Sequence, residues 1–420
     1  MLASRAGGVM ATTATLTRVA GNGLILLLGA AVFLNYVDRG AIAVAAPVMK
    51  GELGLSATAF GIAVSAFFWV YAPVQLLVGW LCDRFSVYKM IAGGILLWAL
   101  ATLLMGFTGG FLSLLVLRVM LGVGESIAFP GTSKLIARHV PAERRGIANA
   151  AVAAGIALGP ALGTLSGGYI VATLGWRAMF IIFGLATLLW LAPWQRVSRS
   201  LKASAEEQAD ERVAMTAVLS KWPLWSMGIV HAAGNYCFYF LLAWLPLYLV
   251  QERGLTIVEM TWLASLGYAV QAACALGYGH FSDLWTRSGR SEAFIRRWMM
   301  VASQLLAALA IWGISQAEGR AELAAWLCLA GAASASLSLN LYAIAQMFSG
   351  PRAAGTWIGA QNAIGNLSGI FGPIITGIIV DSAGYLSAFH LTAAVAALGA
   401  FWWAFVLPPI RQVEFARRQG

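Results

Sequence analysis

The chain has 420 residues, of which 60% are hydrophobic and only 10% charged, and its mean hydropathy is +0.78. Soluble globular domains carry about 25% charged residues, so this composition excludes one and describes an integral membrane protein. A net charge of +10 raises nucleic acid as a partner, but no soluble segment holds a basic stripe interleaved with aromatics, and nucleic-acid binding is not expected.

Residues 1–21 hold two isolated arginines and no apolar core, so they read as a short cytoplasmic tail and not as a cleaved signal peptide. Nearly uncharged stretches of bilayer-crossing length follow at 22–48, 58–81, 88–107, 110–136, 146–172 and 177–193. A polar stretch at 194–221 contains Glu206, Glu207, Asp210 and Glu211 among several bases. Six further apolar stretches lie at 222–250, 257–280, 295–316, 321–349, 354–380 and 387–407. The expected fold class is all-α, with twelve transmembrane helices in two six-helix bundles, 22–193 and 222–407, a cytoplasmic linker at 194–221 and a cytoplasmic tail at 408–420. With both termini inside, the only bases in outer loops are Lys50, Arg177, Arg253 and Arg320. That asymmetry fixes the orientation by the positive-inside rule. A multi-pass protein of a bacterial inner membrane is expected, functional as a monomer because one chain holds both halves.

Cys82, Cys237, Cys274 and Cys328 lack paired spacing, and His139, His231, His280 and His390 are scattered, so neither a disulfide framework nor a metal site is expected. No cofactor is expected either. There is no nucleotide-binding Gly-x-x-x-x-Gly-Lys loop, and no nucleophile with a base that would mark an enzyme.

Two traces of duplication recur at matching places in the halves. Gly79 to Arg84, reading Gly-Trp-Leu-Cys-Asp-Arg, follows the second stretch, and Gly279 to Asp283, reading Gly-His-Phe-Ser-Asp, follows the eighth. Gly159-Pro160, Gly168, Ile170-Val171, Gly175-Trp176 and Phe180 are echoed by Gly372-Pro373, Gly377, Ile379-Val380, Gly384-Tyr385 and Phe389. Paired halves with a site between them are a transporter architecture.

Asp38, Arg39, Arg118 and Glu125 are charges inside apolar stretches. A charge at the bilayer centre costs at least about 2.5–3.5 kcal/mol, so such residues face a protein interior or a wet cavity and mark a pathway. Arg118 and Glu125 are two helical turns apart on one face, whereas the adjacent Asp38 and Arg39 point about 100° apart. Ion pairs that merely lock helices are one account of this set. The other gives each sign a task. A guanidinium matches a carboxylate through two parallel hydrogen bonds, which suits Arg39 and Arg118 to an organic anion. Burial and nearby arginines pull a carboxyl's proton affinity in opposite directions, which makes Asp38 and Glu125 proton sites sensitive to substrate.

Several segments together resemble the major facilitator superfamily and, within it, the anion:cation symporter family. They are Asn35-Tyr36-Val37-Asp38-Arg39 with Ala45-Ala46-Pro47, the loop from Gly79 to Lys89, and Arg118, Gly122, Gly124-Glu125, Phe129-Pro130 and Pro141 to Gly146. Trp244 to Leu249 and Asn362 to Pro373 complete the set. The resemblance implies the pseudo-symmetric major facilitator fold and alternating access. It also implies proton coupling at Asp38 and Glu125, basic substrate positions at Arg39 and Arg118, and a substrate contact at Tyr71. Asp83 would latch the cytoplasmic ends, with Gly79, Arg84, Arg144 and Asp283 in the same gate. Asn235 and Tyr239 share a face at i, i+4, and Asn362 and Asn366 share a stripe. Each of these either packs or binds ligand, and buried asparagines in lipid need a partner of one kind or the other.

The expected function is proton-coupled symport of small organic anions such as sugar acids or other carboxylates, with sodium left open as the coupling ion. Export or exchange on the same fold is the alternative, and a membrane-embedded sensor or enzyme the remote one. One departure bears on the substrate: Ala150 to Leu158 in the fifth stretch is devoid of polar side chains, where sugar-acid members of the family often place them. Hydroxyl contacts would then come from the second half, or the ligand is less hydroxylated.

Overall fold

A computed structural model describes the backbone of residues 2–140, 145–202 and 214–415. Side chains are described from residue 22, apart from 76, 79, 80, 82–84, 137, 138, 145–147, 149, 150, 153, 157, 202, 283, 338, 351, 352, 354 and 355. The described residues are helical with short connections and contain no strand. In chain order the first half comprises α1 (Leu2–Glu52), α2 (Ala57–Arg84), α3 (Val87–Met105), α4 (Phe111–Glu125), α5 (Ala128–His139), α6 (Arg145–Leu174), α7 (Trp176–Leu189) and α8 (Leu191–Lys202). After the short α9 (Met215–Leu219) come α10 (Trp222–Ala243), α11 (Leu245–Gln251), α12 (Ile257–Arg287), α13 (Glu292–Gln316), α14 (Arg320–Gly365) and α15 (Leu367–Phe401), closed by a π-turn at Trp402–Val406. Ordered helix thus continues to Lys202, inside the stretch expected to be linker.

Among the described residues, ten stretches are long and apolar enough to cross a membrane. The last, Thr356–Val406, has 51 residues, which at 1.5 Å per residue would run about 75 Å if straight, far more than a hydrocarbon core of about 30 Å. It bends instead at Gly384, whose φ of 78° and ψ of 173° break the helix. The α12 helix is a further crossing whose apolar character is thinned by polar residues including Tyr268 and Gln271. With that crossing added and the bent stretch counted twice, the chain crosses twelve times. Gly350 (φ 62°, ψ 175°) makes the corresponding break in α14. These conformations lie where a Cβ is disfavoured and glycine is not.

In the first half α1 lies against α6, α4 against α2 and α3, and α7 against α3. In the second, α14 packs on α10, α12 and α13, and α15 on α10 and α13. Hydrophobic burial drives little of this within lipid, so close backbone approach has to do it. At Gly163 of α6 an added Cβ would stand 2.9 Å from the Val37 Cα, so only glycine lets α1 come this near.

The repeat is written in the turns as well. Gly54 and Gly254, two hundred positions apart, both have a φ of 63° and each is followed by Leu and a hydroxyl residue that caps the next helix. Ser56 Oγ accepts from Ala59 N at 3.0 Å and Thr256 Oγ1 from Glu259 N at 3.2 Å. Gly175 and Gly384 likewise share a positive φ, 85° and 78°. The aromatic after each reaches back to the corresponding earlier turn: Trp176 Nε1 donates to Glu52 Oε2 at 2.6 Å, and Tyr385 OH to Gln251 Oε1 at 3.1 Å.

Two seams join the halves, α2 on α15 and α6 on α12. Along the first, Ser65 Oγ donates to the Ile370 carbonyl at 2.6 Å, and a Cβ on Gly377 would meet the Ala57 carbonyl at 2.6 Å. At the face opposite the chain termini, the Asp381 carboxylate crosses the seam. It accepts from Ala57 N at 3.0 Å, Thr58 N at 2.7 Å and Thr58 Oγ1 at 2.6 Å. A negative charge on unpaired N–H groups at a helix start is favourable both as a hydrogen-bond acceptor and against the helix dipole.

Candidate functional site

The four intramembrane charges meet in the first half, Asp38 and Arg39 on α1 and Arg118 and Glu125 on α4. Asp38 is 3% exposed, Arg118 4% and Glu125 0%. As their adjacency requires, Asp38 and Arg39 part company. Asp38 turns toward α3 and α7, where its Oδ2 accepts from the Trp98 indole at 2.7 Å and from Thr187 Oγ1 at 3.5 Å. Arg39 turns toward α2 and α4, where its Nε donates to Glu125 Oε2 at 2.9 Å.

Aromatic rings hold both guanidiniums. The Arg39 Cζ stands 4.5 Å from the Tyr71 ring centre, 5.2 Å from Tyr36 and 5.1 Å from Phe67, and the Arg118 Cζ is also 5.1 Å from Phe67. Phe67 and Tyr71, one helical turn apart on α2, stack with centres 4.8 Å apart. A delocalised cation on such faces gains a cation–π attraction in addition to its hydrogen bonds. Arg118 uses the rest of its fork on α2, its Nε and Nη2 donating to the Ala63 and Val64 carbonyls at 3.2 and 2.9 Å. It therefore ties α4 to α2 while still lining the cavity.

Several atoms of the cluster are buried without a hydrogen-bond partner: Asp38 Oδ1, Glu125 Oε1, Arg39 Nη2 and both amide atoms of Asn35. Buried polar groups are nearly always paired. Their concentration around two carboxylates and a guanidinium makes this cluster the candidate functional site.

The second half faces this cluster with neutral groups. Tyr239 OH donates to Asn366 Oδ1 at 2.7 Å, Asn366 Nδ2 to the Asn362 carbonyl at 2.9 Å, and Tyr342 OH to Asn362 Oδ1 at 3.0 Å. Asn235 Nδ2 donates to the Gly365 carbonyl at 3.2 Å. Both asparagines of the eleventh crossing thus sit at the junction of α14 and α15. The Tyr239 ring lies 4.6 Å from that of Phe68 on α2, which brings the two halves into contact beside the charges.

A cavity of about 30 Å³ lies between them, lined by Arg39, Phe67, Phe68, Arg118, Tyr239 and neighbouring aliphatic residues. It has room for about two waters. A second cavity of about 50 Å³ adjoins it, sharing Ala43 and Leu242.

Of the residues singled out in the sequence, the structure therefore gathers Asp38, Arg39, Tyr71, Arg118 and Glu125 in one cluster, and Asn235, Tyr239, Asn362 and Asn366 opposite. Gly79, Asp83, Arg84, Arg144 and Asp283 lie outside the residues whose side chains are described. Trp98, Thr187, Phe67 and Tyr342 escaped the sequence reading, since an indole or a phenol in an apolar stretch looks like packing until its partner is seen. Asp381 did carry a signal, as an acid at the end of an apolar stretch.

The comparisons agree with this architecture. The Major Facilitator Superfamily model matches residues 28–290 and 259–420. A Bacillus subtilis (strain 168) protein named "Probable galactarate/D-glucarate transporter GudP" is 28% identical over 94% of this chain and 94% of its own. The hexuronate transporter of the same organism is 27% identical over 88% of this chain and 90% of its own, and the chloroplastic ascorbate transporter of Arabidopsis thaliana 26% over 90% and 73%. Among solved structures, a bacterial homologue of the human lysosomal transporter Spinster, inward-facing and unoccupied, superposes with a TM-score of 0.80 at 17% identity over 93% of this chain and 98% of its own. With its twelve crossings, its duplicated halves and a match along nearly its whole length, the chain belongs to the Major Facilitator Superfamily, whose members are membrane transporters and not enzymes.

Proposed function

We propose that this protein is a proton-coupled symporter of small organic anions, in particular sugar acids or related carboxylates, in a bacterial inner membrane with both termini cytoplasmic. One observation carries the proposal: the buried contact between Arg39 Nε and Glu125 Oε2 at 2.9 Å. Removing one partner from a buried ion pair costs about 3–5 kcal/mol because the other is left bare. Arg39 therefore needs one negative partner at all times, and two are on offer, ionised Glu125 or the carboxylate of a substrate. When Glu125 takes a proton, the guanidinium is freed for substrate. When substrate leaves, Glu125 gives the proton up and closes on Arg39 again. The mixed states, with both anions or neither, leave an unbalanced charge in a dry site and are disfavoured, and that exclusion is what couples the two fluxes. Asp38, held by the neutral donors Trp98 and Thr187, is the second proton site. Arg118 holds the anion's far oxygen or a second carboxyl group.

The halves, placed at 22–193 and 222–407, rock about this site, and a single chain suffices. The names of the relatives support the substrate class: galactarate, glucarate, hexuronate and ascorbate are all oxygen-rich organic anions. Purified protein in liposomes with an imposed pH gradient tests the reading. Substrate should accumulate on the alkaline side, and Glu125→Gln should retain exchange while losing accumulation. Uphill uptake by Glu125→Gln would overturn the proton assignment, and uptake that follows a sodium gradient alone would replace the coupling ion.

A further inference from the structure

The second cavity, about 50 Å³ beside the Arg39 site, is lined by both halves. Its walls are mostly aliphatic, but Thr164 of α6 and Tyr268 and Gln271 of α12 also contribute. Tyr268 and Gln271 stand one helical turn apart on one face. None of the three side chains hydrogen-bonds to any described residue. Ser334 also lines the cavity, with its hydroxyl returned to the Ala330 carbonyl at 2.9 Å. Thr164 is only 3% exposed, and a hydroxyl withdrawn from water without a partner is costly. Tyr268 and Gln271, half-buried, leave a phenol and a carboxamide open on the same apolar wall. Polar groups retained under such a penalty are accounted for by a ligand that pairs with them.

We infer that Thr164, Tyr268 and Gln271 form a hydroxyl-binding subsite for the polyhydroxylated chain of a carboxylate whose acid group is held at Arg39. The assignment rests on the anion reading above and deepens it. A carboxamide offers a donor and an acceptor and a hydroxyl offers both, so the three groups match successive carbinols and do not match methylenes. Because Thr164 belongs to one half and Tyr268 and Gln271 to the other, a hydroxylated chain bridges the halves, while a plain alkyl acid touches the same walls without bridging them.

The test is binding of gluconate and of hexanoate, equal in carbon number and in acid group, to the purified full-length protein, alongside Gln271→Leu and Thr164→Val. The native protein should prefer gluconate. Gln271→Leu should weaken gluconate by about 10- to 100-fold, the usual effect of leaving one buried hydrogen-bonding group unpaired, with hexanoate unchanged or tighter. Thr164→Val, close in shape, should shift the same ratio in the same direction. A gluconate-to-hexanoate ratio that both variants leave unchanged overturns the subsite while the anion reading stands. Native protein that binds neither acid overturns both.

Discussion

The two halves of this transporter descend from one pattern and have divided the work. The first carries Asp38, Arg118 and Glu125 deeply buried in its core, with Arg39 half-buried beside them. The second answers with Asn235, Tyr239, Tyr342, Asn362 and Asn366, neutral groups that largely satisfy one another, and its Asp381 sits at the rim. The difference teaches that charge balance and shape recognition are separable here. On the proposed function, protons and the carboxylate are handled on one wall, where any error leaves a bare charge, and the remainder of the ligand on the other, where an error costs one hydrogen bond.

The hardest blow to this division is Arg39→Ala. It strands Glu125 without a counter-charge and is expected to destabilise the protein by about 3–5 kcal/mol and to abolish transport. Arg39→Ala with Glu125→Gln should recover most of the melting temperature and none of the transport, and a double variant that stays unstable would show that the pair does not act as a unit. Next comes Asp38→Asn, expected to flatten the pH dependence of uptake; an unaltered profile would return Asp38 to a packing role with Trp98. On the neutral wall, Tyr239→Phe removes one bond, to Asn366, worth about 1 kcal/mol. It should raise the KM about fivefold while the proton-to-substrate ratio holds, and a changed ratio would break the division of labour. The smallest effect is expected at the rim, where Asp381→Asn weakens the cap on α2 by about 0.5–1 kcal/mol. Reactivity of a cysteine placed in the α2–α15 seam should rise a few-fold, and no change would leave Asp381 a local cap.

Much of this was legible before any fold was drawn. Apolar runs set the crossings, and charges stand out against them because lipid makes them costly. The pairing was not legible. Arg39 meets Glu125 across 86 positions, and nothing in either segment says which base answers which acid. Asp38 depends on Trp98, a residue type that an apolar stretch also uses as filler. Gln271 and Thr164 lie on different helices, each among other scattered polar residues, and only the cavity shows that they converge. The repeated Glu-x-Gly-Leu turn at 52–55 and 252–255 was in plain view, and its shared positive φ is the clearest mark of the duplication.

The Asp381 bridge across the α2–α15 seam has a consequence for the medium that bathes that face. It is a surface contact between a charge and a helix end, and such contacts fade as ionic strength rises, over a Debye length of about 8 Å at physiological salt. The exchange of partners proposed at Arg39 would take place in the dry interior, shielded from added salt. Salt should therefore speed the parting of the halves at that rim while leaving the proton stoichiometry alone, so that the ionic composition outside the bilayer sets the pace of the cycle and the interior sets its terms.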